Sequence, residues 1–310
     1  MTPIHAPLQG RTPRRARGFT LVEAIVVIVI FGVIGAIVAV FIRAPIQGYA
    51  DTAARAAASD EADLALRRIA RDLRLSLPNS VRVNGDGSAV EFLMTKTGGR
   101  YLTMDDDVDG FPVLDFDDAG KRSFTAVGGT IHPIETGDFI VVYNLGGGAT
   151  PGEDAESDAY QFGTGLGGGN IARVESVDYG SPNNPVVTLA ANRFASQATP
   201  MRSPSNRFQV VSGPVSYVCE PLANGGGQLV RYWDYAINSV QQVPPQVPPL
   251  GSARRAVIAS NLAGCAQIFR YGSDATRRSA LVILNLALRP PNDRTALVRL
   301  VSQVHVDNTP

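Results

Sequence analysis

Asp105-x-Asp107-x-Asp109-Gly110 is the cluster in this 310-residue chain best spaced for metal chemistry. Carboxylates at alternate positions can converge on a hard cation, and the glycine permits the sharp turn this requires. The spacing matches the opening of an EF-hand-type calcium loop, whose twelfth position should be a bidentate glutamate. Here that position is Phe116, flanked by Asp115, Asp117 and Asp118. The loop is therefore open-ended, completed by another acid, or a solvated acidic hairpin. Calcium is the one cofactor this reading admits, and nothing else in the chain requires one.

Other candidate chemistry falls away on spacing. Gly163-x-Gly165-x-x-Gly168 has the form of a dinucleotide fingerprint, but no buried strand leads into it and a β-like run, Ile171 to Val177, follows instead of a helix. The three histidines, His5, His132 and His305, have no metal-ligand spacing. No nucleophile, base and acid can be grouped into a catalytic set, and there is no P-loop, so the chain reads as a non-enzyme. Trp233, Tyr232 and Tyr235 read as sheet core or cross-strand pairs.

A different residue, Glu23, carries the stronger functional signal through the element that must hold it. Ala24 to Ile42 is 19 residues without a charge, about 28 Å of helix against a hydrocarbon layer of about 30 Å. Arg11, Arg14, Arg15 and Arg17 precede it with no acid before Glu23, which places the N-terminus in the cytoplasm and sends the rest across. A carboxylate in such a helix costs roughly 2.5–3.5 kcal/mol and calls for a partner. The alternative is a helix-end glutamate reaching to the headgroups. A secretory signal would have a shorter apolar core and a cleavage site after it; here the plausible cut lies before the apolar run, so the helix stays.

Beyond the anchor, Ala62, Leu66, Ile69, Leu73 and Leu77 form one apolar stripe at helical spacing, ended by Pro78. Asp63 with Arg67 and Arg68 with Asp72 are expected i,i+4 surface pairs, and Pro45 is expected to kink the helix. Short β-type runs follow: Val90–Thr95, Phe139–Tyr143, Val186–Leu189, Phe208–Val211, Val215–Cys219, Leu229–Tyr235, Ala266–Tyr271, Leu281–Leu288 and Thr295–Val306. The expected fold class is α+β, a long N-terminal helix whose second half packs on an antiparallel sheet. Four segments result: a basic leader 1–18, a membrane helix 19–43, its amphipathic continuation 44–78, and a β-rich globular domain 79–310. Without the leader the chain has 24 basic against 28 acidic residues, a balance that argues against nucleic-acid binding. Cys219 and Cys265 fall in the exported part, where an oxidising compartment favours a disulfide over two separate buried thiols.

Arg17-Gly18-Phe19-Thr20-Leu21-Val22-Glu23 resembles the class III signal of type IV pilins and type II secretion pseudopilins. The resemblance implies that a prepilin peptidase cuts between Gly18 and Phe19 and methylates Phe19. It also implies that Glu23, fifth in the mature chain, pairs with a neighbouring subunit's N-terminal amine during docking. Phe41 to Tyr49, Arg67 to Arg82, Tyr217-Val218-Cys219-Glu220-Pro221 and Gln303 to Asn308 resemble MshO-type minor pilins of MSHA-pilus biogenesis, relatives of the J-type pseudopilins. Some type II pseudopilins bind calcium in their globular domains, which bears on Asp105, Asp107 and Asp109 without assigning them.

The function this implies is that of a minor pilin, held in the inner membrane by a single span with its domain in the periplasm, then inserted into a pilus. Its partners would be the peptidase, other major and minor pilins and the inner-membrane assembly platform. A J-class pseudopilin and a membrane-tethered periplasmic binding module are the alternatives.

Overall fold

The computed structural model describes residues 18–106, 108–147, 155–165, 168–181, 183–223, 225–243, 250–271, 281–291 and 295–310. Helix α1, Leu21–Arg74, runs through Pro45. The chain divides into two compact units, the first ending at Ala53 and the second comprising Ala54–Pro310.

In the second unit, the expected stripe is buried: Ala62, Leu66, Ile69 and Leu73 join Ala58 and Ala65 in one apolar core with the sheet. The small alanines let the helix lie close to the strands. The helix ends at Arg74, before the Leu77 expected from the stripe, because the chain turns to pair with the sheet. The N–H of Leu77 donates to Leu93 O at 2.8 Å, and Ser76 bridges to Met94.

Asp63 and Arg67 form the expected surface pair at 2.7 Å, a contact worth about 0.5 kcal/mol or less. The expected Arg68–Asp72 pair is not what forms. Asp72 is buried; its Oδ2 accepts from Tyr217 OH at 2.8 Å and from Arg231 Nε at 2.9 Å. Burial in that position demands hydrogen-bonded partners; the sheet supplies two for Oδ2, and the exposed neighbour Arg71, not Arg68, donates to Oδ1 at 3.3 Å.

Among the described residues the strands are β1 (Arg82–Val83), β2 (Ala89–Tyr101), β3 (Ser123–Val127), β4 (Phe139–Val141), β5 (Ile171–Asp178), β6 (Val186–Leu189), β7 (Arg207–Pro221), β8 (Gly227–Trp233), β9 (Arg254–Leu262), β10 (Phe269–Arg270), β11 (Leu281–Leu288) and β12 (Val298–His305). Every pairing is antiparallel. The long strands β2 and β7 pair with each other and belong to two lobes at once. On one side β2, β7, β8, β9, β11 and β12 supply the face against the helix. On the other, pairing runs β2–β3–β6–β5–β4–β7 and returns to β2, leaving no free edge in that ring. The second lobe has its own aromatic core, in which Phe124 meets Phe208 edge to face at 5.4 Å and Phe116 lies between Tyr101 and Phe194.

The runs expected as separate strands at Phe208–Val211 and Val215–Cys219 are one strand, β7. It bends at Gly213, whose φ of 139° favours glycine, opposite register shifts around Thr95. Bulges of this kind let one strand serve both lobes.

Candidate processing and assembly site

The junction at Gly18–Glu23 is built by the start of α1. The Thr20 hydroxyl accepts from the N–H of Glu23 at 3.2 Å, and Thr20 O accepts from the N–H of Ala24 at 3.1 Å. Thr20 is thus the helix cap, satisfying a backbone donor that has no partner within the helix. Thr20-x-x-Glu23 has capping-box spacing, and a carboxylate in the first turn sits at the positive end of the helix dipole. The capping role of Thr20 was not expected from the sequence, although its three-residue spacing to Glu23 was a signal for it.

Gly18 and Phe19 precede the helix in open backbone. A Cβ at Gly18 would meet nothing within 4 Å, and Phe19 is 76% exposed. From Leu21 to Ile42 the large apolar side chains are exposed on all sides, including Ile28, Phe31, Val40 and Phe41. A surface that apolar needs a covering of lipid or protein. The helix includes an 18-residue window of mean hydropathy 3.4, long and apolar enough to cross a membrane. Arg11, Arg14, Arg15 and Arg17 lie outside the described residues.

One comparison with known proteins bears on this geometry. Residues 13–39 match the family model of the prokaryotic N-terminal methylation motif. The match supports a precursor of the type IV pilin or pseudopilin kind, processed by a prepilin peptidase, and it brackets Gly18, Phe19 and Glu23 together with the apolar helix. No curated protein and no solved structure matches the chain. The match covers the junction and most of the apolar run, so it says nothing of the globular unit.

In that unit Cys219 and Cys265 are joined, with an S–S distance of 2.05 Å and 5.3 Å between Cα atoms. The bond ties β7 to the turn after β9. Gly227 on β8 makes room for it: a Cβ there would lie 2.6 Å from Cys219 Sγ and 2.7 Å from Cys265 Sγ. Closing a loop of 46 residues contributes about 4 kcal/mol in the chain-entropy description. Cys219→Ser with Cys265→Ser is accordingly expected to lower the unfolding midpoint by about 8–16 °C, as read by thermal unfolding of the full chain. A change under about 2 °C would contradict this. Gly227→Ala is expected to destabilise by steric conflict with the bond, and more weakly when both cysteines are serine.

Asp107 lies outside the described residues, so the calcium site expected at Asp105, Asp107 and Asp109 does too. Asp105 and Asp109 are exposed. Neighbouring acids have local partners: Asp106 accepts from the N–H and hydroxyl of Thr103 at 2.7 and 2.9 Å, which lowers its pKa. Asp115 is held by Lys121 at 2.7 Å and by the N–H groups of Asp117 and Asp118, which lower its pKa against burial. Phe116, at the twelfth loop position, belongs to the core. Gly163, Gly165 and Gly168 form no phosphate-binding turn before a helix: Gly165 ends a 3-10 turn and strand β5 follows.

Proposed function

We propose that the chain is a non-enzymatic minor pilin of an MSHA-type pilus. It is stored in the inner membrane, cut by prepilin peptidase after Gly18, methylated at Phe19 and inserted with other pilins at the assembly platform, in the initiating or tip complex. The observation that carries the reading is the methylation-motif match over residues 13–39, in a chain whose second unit, from Ala54 onward, buries an amphipathic half-helix. Glu23 then supplies the docking charge. In a bilayer its carboxylate is costly alone and favourable opposite an amine.

Glu23→Ala is expected to insert in the membrane and to be cut normally, yet to fall in the sheared-filament fraction by about tenfold or more. A charge pair at 4 Å is worth about 4 kcal/mol at an effective dielectric near 20, enough for that loss. Quantifying the processed chain in membrane and filament fractions tests the reading. Equal recovery of wild type and Glu23→Ala in filaments would remove Glu23 from docking, and absence of the wild-type chain from filaments would overturn the pilus assignment.

A further inference from the structure

Strand β12 leaves one of its two edges open, and the ladder shows which backbone groups lie there. All eight of its residues pair with β11, from Val298 opposite Leu288 to His305 opposite Leu281, without a shift in register. In an antiparallel ladder alternate residues bond to opposite sides. On β11 the N–H of Asn285 donates to Ile268 O at 2.8 Å, and Ala287 O accepts from the N–H of Ala263 at 2.8 Å. The odd-numbered residues of β11 therefore bond away from β12 and the even-numbered ones toward it, which engages Val298, Leu300, Ser302 and Val304. The N–H and C=O groups of Arg299, Val301 and Gln303 point the other way, where among the described residues no strand pairs with β12.

An edge of this length with neither proline nor bulge is a template for strand addition, which native proteins cover or blunt. Beside it lies a groove of about 400 Å³ between β12 and the second-unit part of α1, with buried Leu66 and half-buried Ala70 and Leu300 on its apolar wall. A strand laid along β12 would send every second side chain toward this groove and the others to the outer face, where Arg299, Val301 and Gln303 are exposed. The charges decide what those residues should be. Asp63 and Arg67 in the lining pair with each other, whereas Arg74 in the lining and Arg299 on the strand are exposed and have no ion-pair partner among the described residues. A second copy of this edge would set the same arginines against themselves, and like charges across strands oppose pairing. An acidic segment is drawn in by the same field.

We propose that the open edge of β12 takes an extended segment of a partner chain as an added antiparallel strand, with apolar side chains in the groove beside Leu66 and Leu300 and acidic ones toward Arg74 and Arg299. Backbone bonds to Arg299, Val301 and Gln303 supply affinity, while the groove and the arginines select the sequence. The inference does not depend on the pilus reading.

The test is a fluorescence-anisotropy titration of a labelled, capped peptide of alternating Val and Glu with the full chain in zwitterionic lipid nanodiscs, corrected for empty discs. Saturable binding is expected, weakened about tenfold or more by Val301→Pro and by Arg299→Glu. Proline suits an edge position whose N–H faces outward, so Val301→Pro removes a pairing donor and keeps the ladder to β11. If that variant lowers the melting temperature, Arg299→Glu decides the matter. Lysine in place of the peptide's glutamates, or N-methylation of those glutamates to remove the donors that face β12, should weaken binding as much. No saturable binding overturns the proposal, as does binding that survives Arg299→Glu, a stably folded Val301→Pro, or N-methylation. So does a wild-type dimer that Val301→Pro separates, which would give the edge to a second copy.

Discussion

A chain carrying Gly18→Ile is expected to remain at precursor length in the membrane and to be missing from filaments. A side chain at position 18 would meet nothing within 4 Å, so the substitution has no folded contact to disturb and acts only on the peptidase. A proteolytic site built around a residue with no side chain must shift its substrate to admit a branched one, and misplacement of about 1 Å at a reacting centre costs about 100-fold in rate. Mature chain should therefore fall about 100-fold, with the globular unit unchanged in thermal unfolding. Efficient cutting of Gly18→Ile would show that the peptidase does not read this position, and loss of thermal stability would show that Gly18 has a structural role.

The second large effect is expected at Asp72. Its carboxylate accepts from Tyr217 OH and Arg231 Nε, and both partners are largely buried, Tyr217 completely so. Asp72→Ala leaves a buried guanidinium and a buried phenol without their acceptor, a change that typically costs about 3–5 kcal/mol. For a unit of this size that corresponds to a fall of roughly 10 °C in unfolding midpoint. Arg231→Met made together with Asp72→Ala should recover part of the loss, because the uncompensated charge goes as well. Thermal unfolding of the full chain in nanodiscs measures both. A fall of less than about 3 °C for Asp72→Ala would mean that water or a rearranged arginine replaces the carboxylate.

These two residues mark the limits of what the sequence discloses. The methylation motif around Gly18 was legible because such a signal is local: the basic leader, the glycine, Phe19 and the apolar run lie within one stretch of chain. The helix and its buried stripe were legible for the same reason, since a period of 3.6 residues is written in the nearest neighbours. Strands β6 and β11 have the expected bounds, and in β11 alternate residues are buried. Asp72 was misread as a surface partner of Arg68. The available signal was its place three residues after Ile69 and next to Leu73, at the margin of the buried stripe.

The second lobe was not legible. Its closure depends on β2 pairing with β3 and also with β7, more than a hundred residues away in sequence, and no local pattern encodes such a contact. Strand β9 begins with Arg254-Arg255 and fully buries only Ala259 and Leu262, so it lacks the alternation that marks a half-buried strand. Gly213-Pro214 reads as a chain break and turns out to be a bend inside β7. Trp233, expected in the sheet core or a cross-strand pair, pairs with Val215 and Arg254 and lies partly buried against the core.

The central proposal is that this chain is a processed type IV pilin-type subunit whose functional N-terminus is Phe19. Intact mass and N-terminal peptide mass spectrometry of the chain recovered from membranes and from sheared filaments tests it most directly. The expected result is a species beginning at Phe19 and carrying one methyl group on its amine. Recovery of chain that still holds residues 1–18, or that begins elsewhere with an unmodified amine, would contradict it.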